Sequence, residues 1–463
     1  MSKKVSLLRL SGVYMLGNVG SKILSFVLIF FMTYFLSKSE IGQYDLILTT
    51  ISLIVPCVSI LIDSALLRWL LDPQQEGRHE IIFQNIYGFL FLNIFIYSLG
   101  YWVFAYFIEF ELSFWIYFYS VLMIIYPTMQ QTSRGLGKNK LYASTSVIYS
   151  LLYVFFTCSI LFFFNLGVRG VLMANIASLI IVISWLFLEN GLLKYIKSIR
   201  LDKFIIFEFL KYSLPLLPNT LSWWLIGSST RYVILAYLGS DYNGLFAISF
   251  KYPTILLILA NVFTLAWQEK IIRTIDKVDA EIEFTKVLNN YVSLLMGLII
   301  ILSSTSKIII GFIDESYYEA WKYIPILLLA VCIQAFSSFY GAAYLREKKT
   351  KAIFTSSLAG GLVTIGSSFY LVKFGLNGIS LSILLGYVIL LAFRVIHLKE
   401  FMNVKFPISK FIQLLIFFII ITGSLYLEQS WTLMYGLIIA CLIFVCYNYT
   451  FIFVPLKNKL LKL

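Results

Sequence analysis

SGVYMLGNVGSKILSFVLIFFMTYFL, residues 11–36, sets the fold class. Its 26 residues carry one charge, Lys22, and crossing a bilayer takes about 20 apolar residues. No short basic segment with a cleavable apolar core precedes it, so it reads as a retained membrane span.

The pattern repeats along the chain. Candidate spans lie at 11–36, 44–66, 82–107, 113–133, 141–164, 170–189, 212–238, 245–267, 287–310, 323–344, 352–372, 379–396, 411–427 and 431–454. Fourteen spans predict an all-α membrane protein; the thirteenth is short and bounded by Glu428. Composition agrees. Of 463 residues 60% are hydrophobic and 13% charged, and the mean hydropathy is +0.88. A soluble domain carries about a quarter charged residues. Cys57, Cys158, Cys332, Cys441 and Cys446 all fall in apolar stretches and read as packing residues. His79 and His397 lie in expected loops and form no metal cluster, so neither a metal nor a cofactor is expected.

The loops separate by charge. With fourteen spans, 27 Lys and Arg fall on the side that holds both termini and only Lys38, Arg169, Lys322 and Lys373 on the other. The positive-inside rule then places both termini in the cytoplasm. A net charge of +13 follows from this asymmetry and from contact with anionic lipid. Basic residues dispersed over many short loops argue against a nucleic-acid partner. The longest cytoplasmic connection, 189–211, contains Leu192-Leu193-Lys194-Tyr195-Ile196-Lys197, the pattern of an amphipathic interfacial helix or of a plain basic linker.

An internal repeat organises the spans. Tyr34-Phe-Leu-Ser-Lys-Ser-Glu-Ile-Gly42-Gln-Tyr44 recurs as Tyr237-Leu-Gly-Ser-Asp-Tyr-Asn-Gly244-Leu-Phe246, and both copies precede a span ending in Trp, Trp69 or Trp267. Two six-helix lobes are expected, related by a pseudo-two-fold along the membrane normal, with the substrate route between them. The expected boundaries are 1–190 for the N-lobe, 191–211 for the linker, 212–397 for the C-lobe and 398–463 for two appended spans and a basic tail.

Five cations lie inside the spans: Lys22, Arg231, Lys251, Lys307 and Arg394. Asp63 alone sits as deep among the acids. A charge in hydrocarbon costs at least about 2.5–3.5 kcal/mol, so each needs a partner or a task. An interior that keeps cations and few carboxylates suits an anion.

The ordered set of local sequences resembles the polysaccharide-transporter (Wzx-like) flippases of the multidrug/oligosaccharidyl-lipid/polysaccharide exporter superfamily. The resembling pieces begin with Gly17-Asn18-Val-Gly-Ser-Lys22, the Tyr34–Tyr44 loop and Ser64-Ala-Leu-Leu-Arg68. Arg134-Gly-Leu-Gly-Lys138-Asn-Lys140-Leu-Tyr142, Leu214-Pro215-Leu-Leu-Pro218-Asn219 and Arg231-Tyr232 follow, then Tyr317-Tyr318-Glu-Ala-Trp321 and Ile324-Pro325-Ile326-Leu327. The resemblance implies a MATE-like fold and a non-enzymatic flippase in the bacterial cytoplasmic membrane. Such a protein carries undecaprenyl-pyrophosphate-linked oligosaccharide repeat units to the outer leaflet for O-antigen, capsule or exopolysaccharide. Implied partners are the lipid-linked substrate, membrane lipids, a polymerase and other polysaccharide-assembly proteins.

For that substrate the expected binding set is Lys22, Arg231 and Lys251 with Asn18, Ser25 and Asn219. Lys22 lies about 11 residues, roughly 16 Å, into its span, with Asn18 and Ser25 about one turn to either side. It either binds a diphosphate or acidic sugar, or pairs with protein acceptors. Arg231 offers forked donors to phosphate or snorkels outward. Lys251 precedes Pro253, where a kink frees carbonyls. Lys307 and Arg394 lie near span ends and are expected to snorkel. Asp63 and Arg68 suit a gate, an ion pair or proton coupling. Pro215 and Pro218 suit a hinge or a shaped helix entry. Trp102, Trp115, Trp223, Trp224 and Trp321 are expected in the interfacial belts.

Other classes fit less well. A MATE multidrug antiporter needs a carboxylate-based cation site. A polymerase or ligase needs a large external loop, and a glycosyltransferase a cytosolic domain. No Walker A sequence is present for ATP. A peptidoglycan-precursor flippase stays open as the nearest alternative.

Overall fold

The computed structural model describes residues 20–22, 24–72, 74, 77–196, 200–273, 277–347, 349–427 and 430–449. Among them every regular element is helical. Eight helices are long and apolar enough to cross a membrane, and three shorter apolar helices accompany them. The chain forms two compact units, Met1–Trp224 and Leu225–Leu463.

The first unit contains α1 (Gly20–Met32), α2 (Lys38–Ser59), α3 (Ile62–Leu70), α4 (His79–Phe107), α5 (Ser113–Gly135), α6 (Asn139–Phe164) and α7 (Gly167–Asn190). The short α8 (Leu193–Ile196), α9 (Lys203–Ser213), a 3₁₀ turn (Leu214–Leu216) and most of α10 (Leu217–Gly227) complete it. Helix α2 starts on a capping box: the Ser37 hydroxyl accepts from the Glu40 N–H, and the Glu40 carboxylate accepts from the Ser37 N–H at 2.9 Å. Of the stretch 192–197, read as an amphipathic helix or a plain basic linker, the described residues Leu193–Ile196 form the short helix α8, and the longer helix of this connection is α9.

The span expected at 44–66 is broken. Ile60 and Leu61 take left-handed φ of 51° and 53°, a conformation costing about 1–2 kcal/mol for each non-glycine residue. Freed backbone groups in hydrocarbon need partners. Here Asn93 donates to the Val58 carbonyl at 2.9 Å, and the Leu61 N–H donates to Ser59 Oγ at 3.2 Å.

The second unit contains α11 (Thr230–Tyr237), α12 (Ser240–Lys251), α13 (Thr254–Arg273), α14 (Lys277–Ile310), α15 (Ile324–Arg346), α16 (Thr350–Leu371), α17 (Gly375–Leu398), α18 (Ile408–Ser424) and α19 (Ser430–Asn448). The expected spans 7 and 8 are also discontinuous, at Ser228–Ser229 and at Tyr252–Pro253. Proline cannot donate to the i−4 carbonyl and its ring crowds it, which accounts for the second break. Helices α16 and α17 approach closely at Gly360 and Gly386, where a Cβ on Gly386 would stand 2.8 Å from the Gly360 carbonyl oxygen. Helices α18 and α19 both pack on α14, with Ser303 and Thr422 sharing a 3.0 Å hydrogen bond.

The repeated loop recurs locally in the structure. Each copy joins two helices, and Gly42 and Gly244 each stand five residues after the N-cap, Ser37 or Gly239. Tyr44 and Phe246 each stand seven residues after it, and all four residues are buried.

Candidate functional site

In the first unit, Lys22 and Ser25 lie on α1 with both side chains exposed. The Ser25 hydroxyl donates back to the Ser21 carbonyl at 3.0 Å, the i−4 bond a serine makes when no other acceptor competes. Lys22 therefore presents its ammonium on an accessible face. Asn18 lies outside the described residues.

Asp63 occupies the first turn of α3, directly after the break in span 2. Its carboxylate lies against the backbone N–H groups of Asp63 and Ser64, the positive end of the helix dipole. Arg68 is exposed in the last turn of the same helix, and no ion pair joins it to Asp63. Five residues put the two on different faces of the helix.

Asn219 is half-buried on α10, with its Oδ1 enclosed and lacking a hydrogen-bond partner. Trp224, further along the same helix, is half-buried. Its indole N–H donates to the Thr49 carbonyl at 3.1 Å and to Ser52 Oγ at 3.2 Å, both in the middle of α2.

Among the described residues the buried polar side chains of this unit are neutral. Tyr44 shares a 2.7 Å hydrogen bond with Tyr153, and Asn175 donates to the Tyr44 hydroxyl at 3.1 Å. Tyr149 donates to Asn175 Oδ1 at 2.7 Å. These bonds tie α2, α6 and α7 around one asparagine.

In the second unit, Arg231 on α11 is only 6% exposed. Its Nη1 donates to the Gly227 carbonyl, at the C-terminal end of α10 where span 7 breaks. Its guanidinium also lies over the rings of Phe246 (5.1 Å) and Phe250 (4.6 Å) on α12. The broken helix frees a carbonyl and the arginine takes it. Lys251, half-buried, ends α12 one residue beyond Phe250 and immediately before the Tyr252–Pro253 break. There the Tyr252 hydroxyl bonds Thr305 Oγ1 at 2.7 Å and the Leu302 carbonyl at 3.0 Å.

Arg394 corrects the snorkelling expectation. It is 1% exposed. Its guanidinium donates to the Ser337 carbonyl on α15 at 2.6 Å and to the Ser356 and Ser357 hydroxyls on α16 at 3.1 and 3.3 Å. Gly341 leaves room for it, since a Cβ there would stand 3.1 Å from Nη1. The Tyr344 hydroxyl closes the cage on the Arg394 carbonyl at 3.0 Å. Proximity to a span end suggested snorkelling. What decides otherwise is a set of acceptors on two other helices, visible in the sequence only as serines in apolar runs. Lys307 behaves as a span-end cation. Its ammonium lies 4.7 Å from the Trp321 ring and donates to the Leu425 carbonyl at 3.1 Å.

The five cations therefore divide by accessibility. Lys22 is open, Lys251 and Lys307 are half-buried, and Arg231 and Arg394 are occupied inside the second unit.

Comparisons with known proteins match this architecture. The lipid II flippase MurJ in an inward closed conformation is similar with a TM-score of 0.72, covering 95% of this chain and 98% of that chain at 13% identity. The MATE multidrug transporter DinF-BH gives 0.62 at 15% identity, covering 86% and 96%. An inward-facing multidrug resistance MATE family transporter of the MOP superfamily gives 0.61 at 13% identity, covering 87% and 97%. At such identities the likeness is one of fold. No curated protein matches in sequence. The family model described as polysaccharide biosynthesis protein matches residues 7–269, more than half of the chain. The chain is a multi-pass membrane protein that belongs to the polysaccharide biosynthesis protein family and has the MOP-superfamily fold.

Proposed function

We propose that this chain flips undecaprenyl-pyrophosphate-linked oligosaccharide repeat units from the cytoplasmic to the outer leaflet of the bacterial inner membrane, for surface polysaccharide assembly. Family membership supports the pathway. The observation that carries the chemistry is Lys22, a cation deep in an apolar span whose side chain stays exposed. An accessible ammonium at that depth attracts a diphosphate while the polyprenyl tail remains in lipid. Ser25 follows it on the same helix, Asn18 precedes it in the sequence, and Lys251, Arg231 and Asn219 extend the proposed polar set. Arg231 holds the broken end of α10, so it reaches an anion only by releasing Gly227.

The mechanism is alternating access between two six-helix lobes, 1–190 and 212–397, joined by the 191–211 connection, with spans 13 and 14 appended. Both termini are cytoplasmic. No bond is made or broken in the substrate, so the chain is not an enzyme. Asp63 is the proposed coupling or gating carboxylate, with Arg68 at the other end of its helix.

Lys22→Ala tests the reading. A hydrogen bond to a charged group is worth about 1.5–3 kcal/mol, so loss of the ammonium lowers transport about tenfold or more. Surface polysaccharide falls, lipid-linked intermediate accumulates, and membrane abundance stays normal. Unchanged polysaccharide at normal abundance refutes the anion site. The fold similarity to a lipid II flippase favours one second reading, a peptidoglycan-precursor flippase. Rescue of a cell depleted of its own lipid II flippase selects that reading.

A further inference from the structure

Helix α9 presents two different faces. One is anchored on the first unit: Phe209 is 0% exposed and its ring meets Trp69 edge-on at 5.1 Å. Asp202 caps the helix, accepting from the Phe204 N–H at 2.9 Å, while its own N–H donates to Asn85 Oδ1 on α4 at 2.7 Å. The orientation of α9 about its axis is therefore fixed.

The opposite face is unlike an ordinary solvated surface. Phe204 is 86% and Phe207 67% exposed. At 100° per residue, 204, 207, 211 and 214 form one stripe, so Lys211 and the exposed Leu214 share it and Lys203 borders it. Arg200 is exposed just before the helix, and Glu208 is the acid flanking the stripe. Three cations against two carboxylates, Glu208 and the capping Asp202, leave a positive balance.

Helix α9 is too short to cross a membrane by itself. Its 11 residues span about 16 Å at 1.5 Å per residue, against a hydrocarbon core of about 30 Å. The 3₁₀ turn at Leu214–Leu216, with Pro215 in it and Pro218 just after, separates α9 from α10. Bulky aromatics interleaved with lysines on so short a helix are the chemistry of an interfacial element.

We propose that the Phe204–Phe207–Lys211 face of α9 is a docking surface for anionic phospholipid. The two rings insert at the acyl boundary, and Arg200, Lys203 and Lys211 contact headgroup phosphates. The surface is separate from the Lys22 site and does not depend on which glycan is carried.

The test uses the full chain in nanodiscs of phosphatidylethanolamine and phosphatidylglycerol, roughly 3:1 to give an anionic surface, doped with headgroup-photoactivatable phosphatidylglycerol or phosphatidylcholine. Peptide mapping reads the adducts. Labelling of the 200–214 peptide is expected to be about tenfold stronger from the anionic probe. Lys203→Glu with Lys211→Glu abolishes that preference and leaves adducts on other peptides unchanged. Equal labelling by both probes, or a preference that survives charge reversal, overturns the proposal. If the charge-reversed chain does not accumulate, Lys203→Gln with Lys211→Gln is read against the same two outcomes. Normal polysaccharide assembly in a variant that has lost the preference still supports lipid docking, because the flippase reading is tested at Lys22.

Discussion

The interiors of the two units solve the same problem with different chemistry. Among the described residues the first unit buries no charged side chain, and its core hydrogen bonds run between neutral groups centred on Tyr44 and Asn175. The second unit buries two guanidiniums, Arg231 and Arg394. A neutral pair carries no charge to compensate, so removing one member leaves a modest deficit. A buried guanidinium has five donors and a charge, and needs acceptors from several elements at once. Arg394 draws them from α15 and α16, which makes it a three-helix clamp. Arg231 draws on the broken helix end and two rings. Among the described residues neither guanidinium is accessible, and the Lys22 side chain is.

Arg394→Ala is the largest expected break in this contrast. It removes the donors to the Ser337 carbonyl and to the Ser356 and Ser357 hydroxyls, which keep their bonds to the Ile353 carbonyl, and it opens a cavity. Truncating a large buried side chain to alanine costs about 2–5 kcal/mol, so membrane abundance and thermal stability both fall sharply, as thermal-shift and immunoblot measurements read out. Stability within about 1 kcal/mol of wild type would mean that serine hydroxyls re-pair easily and the clamp is dispensable. In the first unit Tyr44→Phe removes one hydroxyl shared by Tyr153 and Asn175. Membrane hydrogen bonds are worth about 0.6 and at most about 1.7 kcal/mol, so a small stability loss with intact transport is expected. A loss matching that of Arg394→Ala would erase the distinction between the interiors. Lys307→Gln is the mildest. It loses a cation–π contact of about 0.5–1 kcal/mol and keeps a donor for the Leu425 carbonyl. Transport stays near normal, and its abolition in a flipping assay would move Lys307 into the substrate path.

Much of this protein was legible before its fold was known. Hydropathy and the near absence of mid-span acids pointed to an all-helical membrane chain, and Pro253 marked where span 8 breaks. The break at Ile60–Leu61 carried no such signal. Neither residue is glycine or proline, and the conformation is held by Asn93, more than 30 positions away. The hydrogen bonds of the Trp224 indole were hidden for the same reason, since its acceptors Thr49 and Ser52 lie on another helix.

Residue order alone settles which segments are apolar enough to leave water and which cations must enter with them. Both are sums over local transfer free energies, which depend on residue type and position in a span. The fate of each cation is a matter of tertiary packing. Whether a buried charge is clamped or left accessible depends on acceptors from other helices arriving within hydrogen-bond distance. Arg394 found three and is locked, while Lys22 remains open on α1.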